Sequence, residues 1–268
     1  MGMLKGKVVG GVVEIDRNVR FMRSVEISNT WNESFYVDYD NGVDATNNGR
    51  STNQAYKNFA TAITAAGAWD VIYIRPRTPD TSGGDPAHIT PAAATNWTIA
   101  STQHGLNLIG CGSGRGYAQG YQTSMKGYLA TTTPTLYVKA PFVNLENLSW
   151  RGAAACTDGV VKFKFYDAAA EQSFGSTVYN CTFWKASSTM GGGLVMDAAW
   201  YMNILNCHFM SCYKGIVIGA SNSVPVGIQI ADCNWQALTA EVSTCIESSG
   251  AVTNILIQRT YMNHFLPT

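Results

Sequence analysis

The chain has 268 residues, of which 46% are hydrophobic and 13% are charged, well below the roughly 25% of charged residues in an average globular domain. Its 18 basic and 18 acidic residues give a formal net charge of zero, which excludes strong electrostatic attraction to nucleic acid or to an anionic membrane. Few charges together with 26 glycines favour a turn-rich β fold over a helical bundle.

The N-terminal sequence MGMLKGK lacks the continuous apolar core of a secretory leader. No apolar run approaches the ~18 residues that a membrane span requires. The seven cysteines are an odd number in a chain too large to need disulfide staples. We therefore expect synthesis in a reducing cytosol and any exit by a route that needs no leader, of which assembly into the surface of a virus particle is one.

Residues 1–33 are interpreted as an attachment or oligomerisation arm. They contain short alternating stretches at 7–9 and 12–15 without a core of their own.

Residues 34–75 are predicted to cap the fold. A strand over 35–38 and a turn-rich loop over 40–53 precede a helix for which Ser51 or Asn53 would be the N-cap. A solenoid needs its open end covered, and an amphipathic helix provides that cover. The apolar stripe of this helix consists of Tyr56, Phe59, Ala60, Ile63 and Ala66.

An irregular early rung follows the cap and is interrupted by two polar excursions, roughly 76–95 and 111–134. Its strands are predicted at 71–74, 97–99 and 106–110, and a strand at 135–138 starts the next rung.

The second half of the chain repeats a four-residue segment. The spacings between successive segments are 33, 26, 26 and 26 residues, and an aliphatic residue lies two positions before each. Such self-similarity is the signature of a stacked repeat architecture. The segments are 147–150 (NLSW), 180–183 (NCTF), 206–209 (NCHF), 232–235 (DCNW) and, more weakly, 258–261 (QRTY).

The parity of the apolar residues changes at the first position of each segment. Leu145 and Asn147 share one face by period-two alternation, whereas Leu148 and Trp150 continue on the opposite parity. Such a change predicts a corner, and asparagine tolerates the left-handed backbone that a corner needs. A further apolar strand follows after a loop, so each rung has three short strands. Equivalent strands of successive rungs stack in parallel, ~4.8 Å apart.

Stacking places equivalent residues on one another. The last segment has Arg259 in place of the core cysteine, so we expect this rung to face solvent or a partner. The predicted columns are a thiol column (Cys181, Cys207, Cys233, beside Leu148), an aromatic column (Trp150, Phe183, Phe209, Trp235, Tyr261) and a polar ladder (Asn147, Asn180, Asn206, Asp232).

The segments 35–38 (FYVD), 42–49 (GVDATNNG), 59–63 (FATAI) and 70–74 (DVIYI) resemble the entry segment of pectate-lyase-like parallel β-helix proteins. That superfamily includes polysaccharide lyases, glycoside hydrolases and bacteriophage spikes, so the resemblance implies a fold without selecting an activity. It implies an all-β chain: a right-handed parallel β-helix of about six rungs over 76–268, preceded by the helix-containing cap and the arm.

The chain departs from the enzymes of this superfamily in its motifs. Pectinolytic hydrolases carry Asn-Thr-Asp, Asp-Asp, Gly-His-Gly and Arg-x-Lys elements, none of which is present. Calcium-dependent pectate lyases use clustered aspartates with a basic residue, and no such cluster repeats from rung to rung.

Paired carboxylates are the first candidates for catalysis. Asp197 and Glu247 end comparable strands two rungs apart, an expected separation of ~10 Å on one face, and glycoside hydrolysis needs two such groups. With Lys162 they form the candidate catalytic set. The alternative, which we favour, is that they are ordinary solvated side chains. Asp158, Asp167 and Glu171 lie nearer the loops.

Metal-site candidates are weak. The loop with Asp38, Asp40 and Asp44 is a candidate calcium site, although turn-forming aspartate is the favoured interpretation.

Cys207, His208 and Cys212 have the residue types of a metal site, but adjacent residues of a strand point in opposite directions, so a buried thiol column is favoured. The glycine-rich segment 110–116 lacks the Lys-Ser/Thr ending of a phosphate-binding loop. We expect no metal and no cofactor.

Three aromatic residues, Trp184, Trp200 and Tyr201, are candidates for stacking on sugars, with core or interface packing as the open alternative.

Two functional hypotheses follow. The first is a non-enzymatic bacteriophage surface protein of the capsid-decoration or head-spike type, homotrimeric, attached to capsid or tail through residues 1–33 and able to bind host cell-surface polysaccharide. The second is a polysaccharide-degrading lyase or glycoside hydrolase of the tail-spike type. A convergent carboxylate pair, or an acid with a base in a groove, would distinguish the second from the first.

Overall fold

The structure is a computed structural model that describes residues 6–9, 12–15, 33–45, 49–77, 88–91, 96–112, 123–127, 133–152, 157–164, 173–184, 192–197, 199–219, 224–237 and 244–264. The chain forms two compact units, Met1–Trp31 and Asn32–Thr268. In the first unit, β1 (Gly6–Val9) pairs antiparallel with β2 (Val12–Ile15). Across the described ranges, no helix is long and apolar enough to cross a bilayer.

The described part of the second unit contains three parallel sheets. Sheet 1 contains β3 (Ser34–Val37), β4 (Val71–Ile74), β6 (Asn107–Gly110), β9 (Asn144–Glu146), β12 (Thr177–Tyr179), β15 (Asn203–Leu205), β18 (Val226–Ala231) and β21 (Thr253–Gln258). Sheet 2 contains β7 (Thr123–Lys126), β10 (Leu148–Arg151), β13 (Thr182–Trp184), β16 (His208–Met210), β19 (Asn234–Ala237) and β22 (Tyr261–His264). Sheet 3 contains β5 (Trp97–Ile99), β8 (Leu136–Val138), β11 (Val161–Lys164), β14 (Leu194–Asp197), β17 (Lys214–Gly219) and β20 (Thr244–Ser248).

The chain visits sheets 1, 2 and 3 in turn, and each strand pairs with its equivalent in the next turn. Within the described ranges, five turns from β6 to β20 contribute a strand to every sheet. At the start, an isolated bridge between Ile89 and Met125 takes the sheet 2 position between β4 and β5. At the end, β21 and β22 begin a further turn. The prediction of a parallel β-helix of about six rungs is confirmed.

The cap contains one described helix, α1 (Phe59–Ala65), which buries Phe59, Ala62 and Ile63. Phe59 meets Trp97 of the first sheet 3 strand edge-on, with ring centroids 5.0 Å apart. The amide Nε2 of Gln103 donates to the carbonyls of Ile63 and Ala66 at 2.6 and 2.9 Å, and thus satisfies the C-terminal end of the helix.

The predicted helix start was wrong. The residue before α1 is Asn58, and its side chain makes no capping bond because it donates to Asp44. Ser51 precedes a separate 3-10 turn (Thr52–Gln54) that contains Asn53, and Ser51 makes no side-chain cap there. Tyr56 forms a bridge to Val37 in extended conformation. The chain must turn back beside β3 before the helix begins, which shortens the helix from its N-terminal end.

The interior columns follow the predicted order up to the fifth segment. Cys181, Cys207 and Cys233 are fully buried. Each cysteine directly precedes a sheet 2 strand, and these strands, β13, β16 and β19, pair in register. The rings of Phe183 and Phe209 stack 5.0 Å apart. Phe209 and Trp235 continue the stack at 5.2 Å.

The last rung is shifted by one residue relative to the prediction. Ile257, not Leu256, pairs with Ile230, and Met262, not Tyr261, pairs with Trp235. Arg259 therefore takes the corner position, with φ +48°, and does not replace a core cysteine. One additional residue before the corner causes this shift, which moves Tyr261 to the outer side, where it is 66% exposed.

The polar ladder forms at the corner between sheets 1 and 2. The backbone φ angles of Asn147, Asn180, Asn206 and Asp232 are +57°, +51°, +54° and +56°. Asn180 Nδ2 donates to Asn147 Oδ1 at 2.6 Å, and Asn206 Nδ2 donates to Asn180 Oδ1 at 3.1 Å. Arg259 closes the ladder with two bonds to the Asp232 carboxylate, at 2.8 and 2.9 Å.

Candidate functional site: a basic tyrosine cluster on sheet 3

Tyr137 lies at the centre of a basic cluster on the outer face of sheet 3. The Nζ atom of Lys139 lies 5.3 Å from the centroid of the Tyr137 ring, and those of Lys162 and Lys164 each lie 6.0 Å from it. Strand alternation places these side chains outward, because Val138 and Phe163 between them are fully buried. Cation–π attraction accounts for the grouping of three ammonium groups around one ring.

Carboxylates offset part of this charge. Asp158 Oδ1 accepts a hydrogen bond from Lys162 Nζ at 2.7 Å. Asp197 is the register partner of Lys164 on the next strand. The described residues of the cluster are thus three lysines and two carboxylates around one ring.

The predicted catalytic residues Asp197, Glu247 and Lys162 all lie on sheet 3. Glu247 shares a register column with Lys162 but is three strands away, which corresponds to about 14 Å at the usual strand spacing. Glu247 accepts a hydrogen bond from Lys214 Nζ at 2.8 Å.

Asp197 and Glu247 are two strands apart and also offset by two residues along the strands. Their Cα atoms are therefore separated by about 12 Å, from ~10 Å across the strands and ~7 Å along them. The structure thus brings Lys162 next to Asp158, places Asp197 beside Lys164, and leaves Glu247 with Lys214. Asp167 and Glu171 lie outside the described residues.

A serine–histidine pair that the sequence did not reveal lies on the outer side of sheet 2. His88 Nδ1 is 2.7 Å from Ser124 Oγ, and its Nε2 is 2.9 Å from Arg151 Nη1. Because a guanidinium can only donate, Nε2 is the acceptor and Nδ1 carries the proton that is donated to Ser124. A histidine that activates a serine nucleophile instead accepts the hydrogen bond from the serine hydroxyl.

A row of aromatic rings lies at the corner between sheets 3 and 1. Trp69, Phe142 and Tyr201 have φ angles of +64°, +59° and +53°, each two residues before a sheet 1 strand. The equivalent positions in the intervening turns are Gly105, Gly175 and Gly227, with φ +71°, +66° and +69°.

Each ring covers the glycine of the next turn. A Cβ atom on Gly175 would lie 2.6 Å from Phe142 Cδ1, and a Cβ atom on Gly227 would lie 2.6 Å from Tyr201 Cδ1. Phe142 is 39% and Tyr201 is 59% exposed. The Phe142 ring stacks on Trp69, with centroids 6.0 Å apart, and meets Phe174 edge-on at 4.8 Å. Phe142 follows Tyr137 by five residues along the chain.

The three predicted carbohydrate-binding aromatics lie in two places. Trp200 and Tyr201 are at the aromatic corner, where Trp200 Nε1 donates to the Val224 carbonyl at 3.0 Å. Trp184 is on sheet 2, beneath the Arg151 guanidinium at 4.9 Å. The structure separates Trp184 from the other two.

The carboxylates of the candidate calcium loop have protein donors. Asp38 Oδ1 accepts from the backbone N–H groups of Asp40 and Asn41, at 3.1 and 3.0 Å, and Oδ2 accepts from Arg75 at 2.6 Å. Partial burial alone would raise the pKa of Asp38, but the bonds from Asn41 and Arg75 outweigh it and hold the pKa below its usual value.

The other two aspartates of that loop are also bonded. Asp40 pairs with Arg77 at 3.1 Å, and Asp44 accepts from the backbone N–H groups of Lys57 and Asn58, both at 2.9 Å. Of the three aspartates, Asp38 makes the local backbone bonds of a turn-forming aspartate, whereas Asp40 and Asp44 bond to residues distant in sequence. Within the described ranges, no three His, Cys, Asp or Glu side chains are grouped as metal ligands.

The Cys207, His208 and Cys212 set does not converge on one point. Cys207 faces the core, and Cys212 Sγ bonds to the Phe183 carbonyl at 3.4 Å. Burial raises the pKa of the neighbouring Cys181 thiol to about 12 and raises that of Cys207 well above its ordinary value. These thiols are therefore protonated at neutral pH, as expected of a buried thiol column. Of the glycine-rich segment, only 110–112 are described.

Comparison of the sequence with protein-family models and with curated proteins gives no match. Solved structures similar to this chain include pectate lyase Pel9A, with TM-score 0.52, 12% identity, and coverage of 83% of this chain and 54% of that chain. A rhamnogalacturonan lyase follows at TM-score 0.44, 13% identity and coverage of 81% and 62%. The pectin methylesterase from Aspergillus niger has TM-score 0.36, 12% identity and coverage of 88% and 90%.

The chain spans about half of the length of pectate lyase Pel9A. At this identity the likeness concerns the backbone alone, and the catalytic motifs of the superfamily are not carried over. The parallel strand order, the left-handed asparagine corners and this likeness give the chain the fold of a right-handed parallel β-helix.

Proposed function

We propose that this β-helix binds an acidic polysaccharide on the outer face of sheet 3, without cleaving it. The observation that carries the proposal is the Tyr137 ring with Lys139, Lys162 and Lys164 within 6.0 Å of its centroid. A sugar chain with carboxylates needs both parts of such a site: an aromatic face for its C–H groups and cations for its charge.

The aromatic corner extends this surface. Tyr201 is 59% exposed and Phe142 is 39% exposed. The Phe142 ring stacks on Trp69, with centroids 6.0 Å apart, so Tyr201 offers the more open ring for a sugar.

The geometry favours binding over hydrolysis. Glycosidases use two carboxylates that face each other across the scissile bond, whereas Glu247 accepts a hydrogen bond from Lys214 Nζ at 2.8 Å and Asp197 lies beside Lys164 on the neighbouring strand. Arg151 fixes the His88 tautomer that donates to Ser124, and this tautomer does not activate Ser124 as a nucleophile.

Isothermal titration with polygalacturonate and with a neutral polysaccharide tests the proposal. We expect binding of the acidic polymer, weakened at least ~10-fold by Tyr137→Ala and by Lys164→Met, and weakened by salt because charged contacts are screened. Lys57→Met is the matched control, since Lys57 is exposed on the cap. Equal affinities for wild type and both cluster variants would contradict the site.

The same mixtures test catalysis. New reducing ends or unsaturated products that appear with wild type and disappear with Lys162→Met would contradict the non-catalytic part of the proposal and favour a lyase or hydrolase. Unchanged polymer length supports a binding protein.

We also propose that the protein is a homotrimeric surface component of a bacteriophage, with residues 1–33 as the attachment element. The separate compactness of Met1–Trp31 supports this role. Glu33 belongs to the cap, because its N–H donates to Asp70 Oδ1 at 2.9 Å, so a deletion should end at residue 31. Light scattering should give a trimer that the deletion dissociates, whereas a full-length monomer would contradict this proposal.

A further inference from the structure

We propose that the basic cluster on sheet 3 recognises a single acidic sugar flanked by neutral sugars, and not a run of consecutive acidic sugars. This inference rests on the proposed function and deepens it, because it states how the charges of the polysaccharide are spaced. It follows from the positions of the charged side chains along the outer face of sheet 3.

The cations of the cluster are confined to two adjacent turns. Lys162 and Lys164 lie on β11, and Lys139 directly follows β8. These two strands pair in register, so they are about 4.8 Å apart. The cationic part of the face is therefore only one strand spacing long in the direction of the coil axis.

Carboxylates lie beside two of the three lysines. Lys162 Nζ donates to Asp158 Oδ1 at 2.7 Å, and Asp197 is the register partner of Lys164 on β14. The described residues of the cluster thus leave one positive charge in excess, which matches the charge of one carboxylate.

Among the described outward positions of sheet 3, the neighbouring turns add no second group with excess positive charge. The column that contains Tyr137 continues through uncharged residues on both sides before it reaches Glu247. Glu247 accepts a hydrogen bond from Lys214 Nζ at 2.8 Å, so this pair carries no net charge. In register, the members of the column are Thr98, Tyr137, Lys162, Val195, Val217 and Glu247.

Asp197 limits the cluster on the side of the later turns. Gly219 is its register partner on β17, and a Cβ atom on Gly219 would lie 3.1 Å from Asp197 Oδ1. The Asp197 carboxylate therefore reaches the surface of the following turn, where Gly219 has no side chain of its own. A ligand that extends along the axis from the lysines meets this carboxylate next.

This arrangement disfavours a polymer with a carboxylate on every sugar. Such a polymer places one acid on the lysines and further acids beside Asp197 or over uncharged residues. Contact between like charges is unfavourable and is a general source of specificity. A neutral sugar next to the acidic one avoids this repulsion, and its C–H groups can pack on the partly exposed Val217.

Calorimetric titration with three forms of one polymer tests the spacing. The forms are polygalacturonate, the same polymer with most carboxylates blocked as methyl esters, and the fully esterified polymer. At equal concentration of free carboxylate, we expect the mostly esterified form to bind wild type about 3- to 5-fold more tightly than polygalacturonate, the factor of one exposed charge contact. At equal sugar concentration, the fully esterified polymer should bind at least ~10-fold more weakly than the mostly esterified form, since it offers the lysines no carboxylate.

Asp197→Asn tests the cause of the preference, because it removes the carboxylate and keeps the size of the side chain. It should tighten binding of polygalacturonate more than that of the mostly esterified form, so that the two affinities agree within about 2-fold. Glu146→Gln is the matched control, since it removes one carboxylate from the outer face of sheet 1, and it should keep the wild-type preference. Circular dichroism must give the same β signal for all three proteins, and Asp197→Ser serves if Asp197→Asn fails to fold.

The outcomes separate this inference from the proposed function. If wild type binds polygalacturonate as tightly as the mostly esterified form, or more tightly, and binds the fully esterified form weakly, the inference is overturned and the proposed function stands. A preference that is unchanged in Asp197→Asn, or lost equally in Glu146→Gln, also overturns the inference. No binding of any form, or equal affinity for all three, overturns the proposed function and the inference with it.

Discussion

At the scale of single residues, the asparagine corner combines two requirements. The backbone must adopt a left-handed conformation, at φ +51° for Asn180, and the side chain must bond to the turns before and after. Asn180 donates to Asn147 and accepts from Asn206. Glycine meets the first requirement alone and alanine meets neither, which explains why asparagine recurs at this position.

Substitution of Asn180 should separate the two contributions. Asn180→Ala should lower the free energy of unfolding by about 3–4 kcal/mol, from the left-handed penalty of ~1–2 kcal/mol and two lost hydrogen bonds of ~1 kcal/mol each. Asn180→Gly, the control, should cost less because it keeps the backbone conformation. Urea unfolding measures both, and equal losses would mean that the ladder, not the backbone, dominates.

The thiol column makes stability depend on alkaline pH. The pKa of Cys181 is raised to about 12 in the folded chain by burial, from an ordinary value of 9.0. The folded state therefore keeps the proton while the unfolded state loses it. The contribution of the protonated Cys181 thiol to the free energy of unfolding is fully present below pH 9 and is lost progressively as pH rises towards 12.

Urea unfolding at pH 8 and pH 10 tests this dependence. At pH 10 the Cys181 contribution to the free energy of unfolding should have fallen by roughly 1 kcal/mol, because the unfolded thiol is ionised at one pH unit above its ordinary pKa while the folded thiol stays protonated. Cys181→Ala should lose stability at both pH values but should fall less between them. An identical pH dependence of wild type and variant would mean that the thiol is not held neutral by burial.

At the scale of elements, the corner between sheets 3 and 1 has a two-turn period. Aromatic residues and glycines alternate because a ring on one turn occupies the space above the backbone of the next. Trp69 covers Gly105 in this way, with a hypothetical Cβ only 2.1 Å from Trp69 Cε3. Two adjacent turns cannot both carry a ring there.

Gly227→Ala tests this alternation. The new methyl group would meet Tyr201 Cδ1 at 2.6 Å, on a backbone at φ +69°. We expect a loss of about 2–3 kcal/mol, from overpacking and left-handed strain, which lowers Tm by several degrees.

Two controls define the cause of that loss. Gly67→Ala should be nearly neutral, since its Cβ would meet Asp70 at an ordinary 3.5 Å. Tyr201→Ala in the Gly227→Ala background should recover part of the Tm if the ring causes the clash. No recovery would assign the loss to backbone strain alone.

At the scale of the whole molecule, stability comes from contacts between neighbouring turns. Interior turns are covered on both sides, and Val178, Ile204 and Ile230 are fully buried. The last described turn is covered on one side, so Ile257 is 46% exposed although it continues the same column.

Amide hydrogen exchange should reflect this gradient. Protection should be highest in β12 to β17 and at least ~10-fold lower in β21 and β22, because terminal turns open without disrupting the rest. Uniform protection from β6 to β22 would contradict the nearest-neighbour description and would favour a single cooperative unit.

The sequence by itself determined the asparagine corners, the thiol and aromatic columns and the three-strand turn. These are local properties: side-chain alternation and left-handed tolerance are set within a few residues, and a 26-residue spacing repeats them. The helix position and the last rung were misplaced because chain reversal beside β3 and one inserted residue depend on what the segment packs against.

Only the tertiary structure decided the surface. Tyr137 meets Lys162 and Lys164 because β8 and β11 are register partners, and His88 meets Arg151 across 63 residues of sequence. The alternation of rings and glycines likewise arises between turns separated by loops of unequal length. Local sequence cannot specify these contacts, because strand pairing chooses the neighbours.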